Sequence, residues 1–308
     1  MRPLSLFERH LAAPTVRLSD MLAATGDTDG LPVIEGSANL ALTDYVREVV
    51  ASGFPGIRDL PERARQAHMR SYVERIADVE FVEQGHRVAK PASLRAWMEA
   101  YSAASATTAS YNAILDAATP GDSDKPSRVT TGQYRVMLAR LFLLDPVPGW
   151  VPATNALTRL AQAPKHHLVD PALAAQILGV TENSLLSAAP DRNRPQFGDG
   201  FLLGQFFESL VALSLRVYAQ HNSATVSHLR TKNGDHEIDF IVQGADRRVA
   251  VLEVKLSPLV DDKDVVHLKW LRQKLGPGLA DAAVITTGTD AYRRNDGIAV
   301  IPASLLAP

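Results

Sequence analysis

The sequence contains no cysteine. Disulfides, thiolate nucleophiles, zinc ribbons and iron–sulfur clusters are therefore excluded, and a reducing cytosol is permitted. The N-terminus lacks the charged start, apolar run and small-residue cleavage site of a secretory signal, and we expect no apolar stretch to approach the roughly 18 residues of a membrane span. We therefore expect a soluble, cytoplasmic protein that does not contact a membrane.

A large excess of one charge is also missing. The 32 basic and 34 acidic residues give a formal net charge of -2, so any surface that binds nucleic acid must be a local patch. No G-x-x-x-x-G-K-[ST] motif occurs, and no Gly-Lys dipeptide is present, so we expect no ATP binding by this chain. The motifs H-E-x-x-H and G-x-S-x-G are absent as well.

The 308 residues, 46% of them hydrophobic, are enough for two or three globular domains. Residues 1–85 have a helical pattern. Residues 86–198 are predicted to be mostly helical and to resemble a winged-helix unit up to about 175, with a polar linker at 188–200. Within this region Asp170, Pro171 and Gly179 predict the cap, first turn and end of a helix.

Residues 199–308 predict a compact α/β domain. A long apolar helix, FLLGQFFESLVALSL, precedes two strand patterns, TVSHLRT and HEIDFIV, which are separated by the hairpin signal Asn-Gly. A third strand, VAVLEVKLS, is followed by an amphipathic helix and the strand AAVITTG. The expected structure is a mixed sheet flanked by helices, with a crossover after the third strand.

Acidic residues interrupt these apolar segments. Glu253 and Lys255 share one face at the end of the third strand, and Asp239 lies on the second strand. Side chains on adjacent strands lie about 4.5 to 5.5 Å apart, which would let Asp239 and Glu253 bind one ion. Glu208 lies within the long apolar helix, where its charge also needs an explanation.

Carboxylate oxygens, completed by water and phosphate oxygens, suit Mg²⁺ or Mn²⁺. Such an ion promotes phosphodiester hydrolysis, and a nearby lysine can orient the water or neutralise charge on the phosphate. The pattern therefore predicts a metal-dependent hydrolase with Asp239, Glu253, Lys255 and Glu208 as its site. The alternative is a structural sheet in which these side chains form surface ion pairs.

The arrangement E(208)…EID(237–239)…EVK(253–255) resembles the PD-(D/E)XK, restriction-endonuclease-like nucleases. The resemblance implies that fold for residues 199–308, Mg²⁺ or Mn²⁺ held by Asp239 and Glu253 with support from Glu208, and a water-assisting role for Lys255. Ile238 stands where the named motif has proline. The implied partner is nucleic acid, DNA rather than RNA.

Further segments resemble a group of prokaryotic AAA-type ATPases that end in a nuclease-like domain of unknown function. They are RPLSLFE at 2–8, SGFPGIRD at 52–59, KHHLVDPALAA at 165–175 and GQFFESLV at 204–211. In that group RPLSLFE follows the ATPase core. The chain thus resembles the part after the core, either as a truncated piece or as a natural short form.

A second hypothesis stays open: an inactive nuclease fold that binds nucleic acid, a protein partner or a second copy of itself. The histidines at 166, 167, 221, 228 and 236 are expected to be core or surface residues rather than metal ligands. Trp97, Trp150 and Trp270 are expected to anchor cores. The basic residues that could contact phosphate are Arg128, Arg135, Arg140, Arg192, Arg194, Arg230, Lys232, Lys263, Lys269, Arg272 and Lys274.

Overall fold

The computed structural model describes residues 2–25, 30–81, 90–119, 125–150, 163–187, 199–231 and 234–308. These residues form two compact units. Those of the first unit fall within Val46–Pro146 and Ala163–Ser209, and those of the second within Arg2–Tyr45, Val147–Gln162 and Leu210–Pro308. Each unit therefore combines distant parts of the chain, whereas the predicted division at 1–85, 86–198 and 199–308 follows sequence order and stays a prediction.

Helices dominate the N-terminal part of the chain, as expected. In chain order their bounds are α1 Leu18–Ala23, α2 Leu42–Ala51, α3 Pro55–Arg58, α4 Glu62–Arg75, α5 Pro91–Ala103, α6 Tyr111–Ala117, α7 Arg128–Arg140, α8 Pro171–Ile177 and α9 Glu182–Ser187. A π-helical turn, Ile76–Glu80, continues α4. The predicted start of α8 is confirmed: the Asp170 side chain accepts a hydrogen bond from the Ala172 N–H, and Pro171 occupies the first turn.

The core of the first unit contains large aromatic side chains of α5 and α7. Trp97 stacks on Tyr101 with ring centroids 5.2 Å apart, and Tyr134 meets Trp97 edge-on. All three are buried. Burial of such rings is the main stabilising contribution of a helical unit of this kind, and the prediction that Trp97 anchors a core is confirmed.

Most strands lie in the C-terminal part of the chain. In chain order the strand bounds are β1 Val16–Arg17, β2 Gly36–Ser37, β3 Thr225–Arg230, β4 Glu237–Gln243, β5 Val249–Val254, β6 Leu279–Thr286, β7 Asp290–Arg293, β8 Ala299–Pro302 and β9 Leu306–Ala307. Seven of them form a mixed sheet with strand order β2-β7-β8-β6-β5-β4-β3. The strands β3, β4 and β5 are antiparallel, while β6 runs parallel to β5 and to β8. The remaining helices are α10 Asp199–His221, the predicted long apolar helix, and α11 Val266–Leu275 between β5 and β6.

The central strands are buried because their sequences are apolar on both faces. The first five residues of β5 and all eight of β6 are buried. The cluster around them includes Trp150, Ile241, Val251 and Leu268. The predicted order of three antiparallel strands, a helix and a crossover to a fourth strand is confirmed.

Two expectations need correction. Residues 1–85 are not entirely helical: β1 pairs with β9, and β2 pairs with β7. In addition, the segment Phe201–His221 of α10 is long and apolar enough to cross a membrane, with a mean hydropathy of 1.3 over its most apolar window. Because 67% of that window is buried inside the protein, and core helices of soluble proteins pass the same test, this is weak evidence for a membrane span.

Several predicted features lie outside the described residues. They are most of the linker at 188–200, with Arg192 and Arg194, and the Lys232-Asn233 part of the hairpin turn. The hairpin itself is confirmed by the antiparallel pairing of β3 with β4, and Gly234 has the positive φ of +77° that such turns require. The winged-helix assignment of 86–175 stays a prediction.

Candidate functional site

Asp239 and Glu253 meet where β4 and β5 lie side by side. Phe240 pairs with Leu252 in the antiparallel register, and one further step in this register sets Asp239 opposite Glu253. The Asp239 Oδ2 accepts a hydrogen bond of 2.8 Å from the Val254 N–H. The two carboxylates are therefore neighbours on adjacent strands, which is the arrangement that the sequence pattern predicts.

The two carboxylates differ in their environment. Glu253 is only 4% exposed, whereas Asp239 is partly exposed. A buried carboxylate is costly unless a cation or hydrogen bonds compensate for its charge. Lys255 supplies one compensating charge, because its Nζ lies 3.8 Å from the Glu253 Oε2, and its side chain as a whole is 36% exposed.

The backbone fixes this geometry. β5 ends at Val254, and the Lys255 N–H donates a 2.9 Å hydrogen bond to the Ile285 carbonyl of β6. The Lys255 backbone therefore still pairs with β6, and its side chain extends from the end of β5, where it is partly exposed to solvent. A buried carboxylate, a half-buried carboxylate and an accessible ammonium thus lie together at one strand end.

Glu208 belongs to the first unit, whereas Asp239, Glu253 and Lys255 belong to the second. Its Oε1 lies 2.8 Å from the Nζ of Lys165, a lysine only 1% exposed. Removal of one partner from a buried ion pair is strongly destabilising, so Glu208 has a structural role here whatever else it does. The prediction that Glu208 joins the metal site stays a prediction.

Two histidines that the sequence pattern does not connect contact each other in the second unit. The Nδ1 atoms of His236, which precedes β4, and His267, in α11, are 3.1 Å apart. The His236 ring stacks on Trp270, with centroids 3.9 Å apart and an angle of 11° between the planes. Partial burial lowers the pKa of His267 below its usual value, and the charges of His236 and Lys255 lower it further, against the opposing effect of Glu237 and Asp239.

No sequence pattern predicts this pair. His236 and His267 are 31 positions apart and lie on different elements, so no spacing rule connects them. Trp270 was expected to anchor a core. It packs against the core of the second unit, and its ring also stacks on the ring of His236.

Within the part of the chain that the structure describes, no group of three or more histidine, aspartate or glutamate side chains is arranged to hold a metal ion. The donor set is thus two carboxylates, Asp239 and Glu253. Their hard oxygen atoms fit Mg²⁺ or Mn²⁺, which commonly bind through one or two carboxylates and complete their shell with water and substrate phosphate. A carboxylate that accepts one backbone hydrogen bond retains lone pairs for a cation.

Several of the other side chains considered in the sequence have structural partners. The buried His166 and His167 bind the Ala109 carbonyl and the Ser209 hydroxyl, respectively. Arg135 lies 3.8 Å above the centre of the Tyr111 ring. Three basic residues of α11 and of the 3-10 turn before it also have partners: Lys269 pairs with Asp296, Arg272 binds the Asp296 and Gly297 carbonyls, and Lys263 pairs with Asp261.

Two separate ranges of the chain match models of known protein families. Residues 203–306 match the family model of a domain of unknown function (DUF4143), which is typically found with AAA-type ATPases. Residues 42–184 match that of another domain of unknown function (DUF8612). Searches of curated proteins and of solved structures give no match. The similarity of residues 203–306 agrees with the association with AAA-type ATPases that the sequence segments indicate.

Proposed function

We propose that this chain is a metal-dependent phosphodiesterase that cleaves nucleic acid, DNA rather than RNA. The single observation that carries the proposal is the meeting of Asp239 and Glu253 on adjacent strands, with the Lys255 ammonium 3.8 Å from the Glu253 carboxylate. Phosphodiester hydrolysis requires a cation site, a water and a positive charge near the phosphate. The two carboxylates would hold the cation, which activates the water, and Lys255 supplies the positive charge.

The proposal extends to the fold. The order of antiparallel β3, β4 and β5, followed by α11 and parallel β6, is compatible with a restriction-endonuclease-like sheet. In the same proposal residues 86–175 form a winged-helix-like region, and the chain corresponds to the part of an AAA-type ATPase that follows its nucleotide-binding core.

Each side chain has a distinct role. Asp239 and Glu253 would hold Mg²⁺ or Mn²⁺, which when bound polarises a phosphoryl oxygen and lowers the pKa of a water. The buried Glu253 gives the site a fixed position, because its side chain has little freedom to move. Lys255 orients the attacking water or neutralises charge that develops on the phosphate.

The test compares the wild type with Asp239→Asn, which keeps an oxygen to accept the Val254 N–H but removes the charge. We expect calorimetry to detect Mg²⁺ or Mn²⁺ binding to the wild type and not to the variant. Of labelled single- and double-stranded DNA and RNA incubated in parallel, we expect DNA to be cut by the wild type and not by Asp239→Asn. Asp235→Asn, which changes an exposed aspartate of the hairpin, is the matched control and should behave as wild type.

Lys255→Ala separates binding from chemistry. We expect it to bind the metal and to lose cleavage, because it removes the cation but neither carboxylate. Wild-type protein that binds no divalent metal and cuts no substrate would contradict the proposed function.

The second candidate is a nuclease fold without activity that binds nucleic acid or a protein partner. The finding of only two carboxylates, with no third metal-binding side chain among the described residues, favours it. It predicts binding to DNA that weakens with salt and that is unchanged by Asp239→Asn and by removal of divalent metal. Fluorescence anisotropy with labelled DNA at several salt concentrations would detect that behaviour.

A further inference from the structure

We propose that the outer face of α7 is a docking surface for duplex DNA and that this helix contacts the major groove. The α7 surface consists of Arg128, Val129, Gln133, Val136 and Arg140. The inference rests on the proposed function in so far as DNA is the substrate of the chain. It adds a contact in the first unit that needs no divalent metal and no carboxylate of the candidate site.

Helical spacing places the α7 surface on one side of the helix. Val129, Gln133, Val136 and Arg140 follow one another at intervals of four, three and four residues, which forms a single stripe along a helix. All four are exposed. The buried residues of α7 lie on the opposite side, where Tyr134 meets the core. The stripe is therefore open to a partner.

The charge on this part of the chain has one sign. Residues 125–144 contain four basic residues and no acidic residue. Arg128, Arg135 and Arg140 form no ion pair with any residue that the structure describes. The first turn of α7 has no acidic residue either, so the positive end of the helix dipole adds to this charge. Such a surface is complementary to a polyanion, and the phosphate backbone of DNA is one.

Arg135 lies beside the stripe and is held in place by an aromatic ring. Its guanidinium carbon lies 3.8 Å above the centre of the Tyr111 ring of α6, and the side chain is half-buried. A guanidinium that is already restricted in this way loses less conformational freedom when it binds a phosphate. Arg135 is therefore a third phosphate-binding side chain.

The side chains between the arginines indicate duplex DNA. An α-helix fits the major groove, which is about 12 Å wide. Val129 and Val136 can contact thymine methyl groups, and Gln133 between them can bind the N6 and N7 atoms of adenine. Arg128 and Arg140 lie near opposite ends of the helix, where phosphates border the groove. The two valines are separated by an amide, whereas the centre of a protein interface is a continuous apolar patch.

Phe142 follows α7 in a backbone conformation that suits glycine. Its φ is +56°, and its side chain is 71% exposed. The N–H groups of Phe142 and Leu143 bond back to the carbonyls of Ala139 and Leu138, a helix end at which glycine is the usual residue. Stability therefore does not account for an exposed aromatic ring at this position. An apolar contact with DNA does, because phenylalanine can contact a thymine methyl group.

The first test measures binding of a labelled random-sequence duplex by fluorescence anisotropy in EDTA, which prevents metal binding and cleavage. We expect Arg128→Gln/Arg140→Gln to bind more weakly. Its slope of log K against log salt concentration should be lower by about 0.9 for each arginine removed. The matched control is Arg63→Gln/Arg70→Gln, which changes two exposed arginines of α4 in the same unit and should keep wild-type affinity and slope. Wild-type affinity and slope in the α7 variant would overturn the inference.

Phe142→Gly separates binding from stability. Because glycine suits the positive φ, we expect a Tm equal to that of the wild type or higher, together with weaker duplex binding. Thermal unfolding and anisotropy provide the two values. Unchanged binding in Phe142→Gly would overturn the role of this ring.

Gln133→Ala tests the groove contact. Duplexes that the wild type selects from a randomised pool should be preferred over random duplexes. We expect Gln133→Ala to lower that preference roughly 5- to 150-fold, the usual effect of one bidentate contact with a base. Arg140→Gln should instead weaken the binding of both duplexes alike. Tighter binding of single-stranded DNA of the same length would overturn contact through the major groove.

The outcomes separate this inference from the proposed function. Duplex binding that depends on the α7 surface, without metal-dependent cleavage, would support the inference and overturn the phosphodiesterase. Cleavage and duplex binding that the α7 variants leave unchanged would overturn the inference alone. Wild-type protein that binds no DNA would overturn both. Polyglutamate bound as tightly as the duplex would overturn the inference and indicate an acidic protein partner.

Discussion

Asp281 is a charged residue in the middle of the buried strand β6. It is 1% exposed, and the Arg293 guanidinium binds both of its oxygens at 2.9 Å. Arg293 also donates to the Gly297 and Pro32 carbonyls. The pair therefore joins β6 and β7 to the loop that precedes β2, and a buried charge is compensated by a bidentate partner.

We expect Asp281→Ala to destabilise the protein by about 3 to 5 kcal/mol, because it leaves the Arg293 charge buried without its carboxylate. Urea unfolding followed by circular dichroism measures the loss. The matched control is Asp78→Ala, which removes a carboxylate from a half-exposed pair with Arg95 and should cost less than about 1 kcal/mol. Equal losses in the two variants would contradict the reasoning.

The sequence identifies some side chains of the site and hides others. Asp239 and Glu253 could be associated from the sequence because they lie on consecutive predicted strands, where antiparallel pairing brings them together. Asp281 lies within the apolar segment LADAAVIT, and nothing in that segment indicates that its partner is Arg293, twelve residues further along the chain. The contacts of His236 with His267 and of Glu208 with Lys165 form only when distant segments fold together, and no local pattern encodes them.

Gly288 lies in the turn after β6, against the loop that follows Lys255. A Cβ at this position would lie 2.9 Å from the Pro258 carbonyl oxygen and 3.3 Å from the Thr286 hydroxyl. The loop and the turn are also joined by a hydrogen bond, which the Thr287 hydroxyl of the turn donates to the Leu256 carbonyl of the loop. A glycine is thus required by close approach of backbone rather than by its φ angle.

Gly288→Ala should therefore destabilise the protein by about 1 to 3 kcal/mol, the typical effect of overpacking. Because the loop follows directly on Lys255, the proposed cleavage should fall as well. Gly204→Ala, within α10, is the control: nothing lies near its added Cβ, and alanine favours helix, so stability should rise by up to about 1 kcal/mol. Thermal unfolding of both variants provides the comparison.

The start of α8 is a second test of local structure. The Oδ2 of the fully buried Asp170 accepts hydrogen bonds from the Ser52 hydroxyl and the Gly53 N–H, in addition to the cap bond of its Oδ1 to Ala172. We expect Asp170→Ala to cost about 2 to 4 kcal/mol, since three donors lose their acceptor. The exposed cap Ser110 of α6 is the control, and Ser110→Ala should cost only about 1 kcal/mol in the same denaturant experiment.

Local sequence signals predict the elements that have a clear capping residue, a turn dipeptide or a continuous apolar run. The cap of α8, the β3–β4 hairpin and the apolar strands β5 and β6 are examples. The strands β1 and β2 were missed because each has only two residues. So short a strand has no alternation to detect, and its pairing partner, β9 or β7, lies more than 250 residues further along the chain.

Binding of a divalent cation should stabilise the whole protein if the proposed site is correct. A ligand that binds only the folded state, at 100 times its Kd, adds about 2.7 kcal/mol to the free energy of unfolding. Differential scanning calorimetry should therefore show a higher Tm for the wild type with Mg²⁺ or Mn²⁺ than with a chelator. Asp239→Asn should show no such difference, and an equal rise in wild type and variant would indicate nonspecific binding.

The edge of the sheet at β3 has a consequence for the behaviour of the protein in solution. An open edge strand presents unpaired N–H and C=O groups that can recruit a strand from another molecule. Here Gly149 bridges to His228 of β3: the His228 N–H donates to the Pro148 carbonyl, and the Trp150 N–H donates to the His228 carbonyl. The buried Trp150 holds this short segment in place. The segment therefore covers part of the open edge of β3. If it were displaced, the N–H and C=O groups of His228 would be free to pair with a strand of another molecule, which favours aggregation.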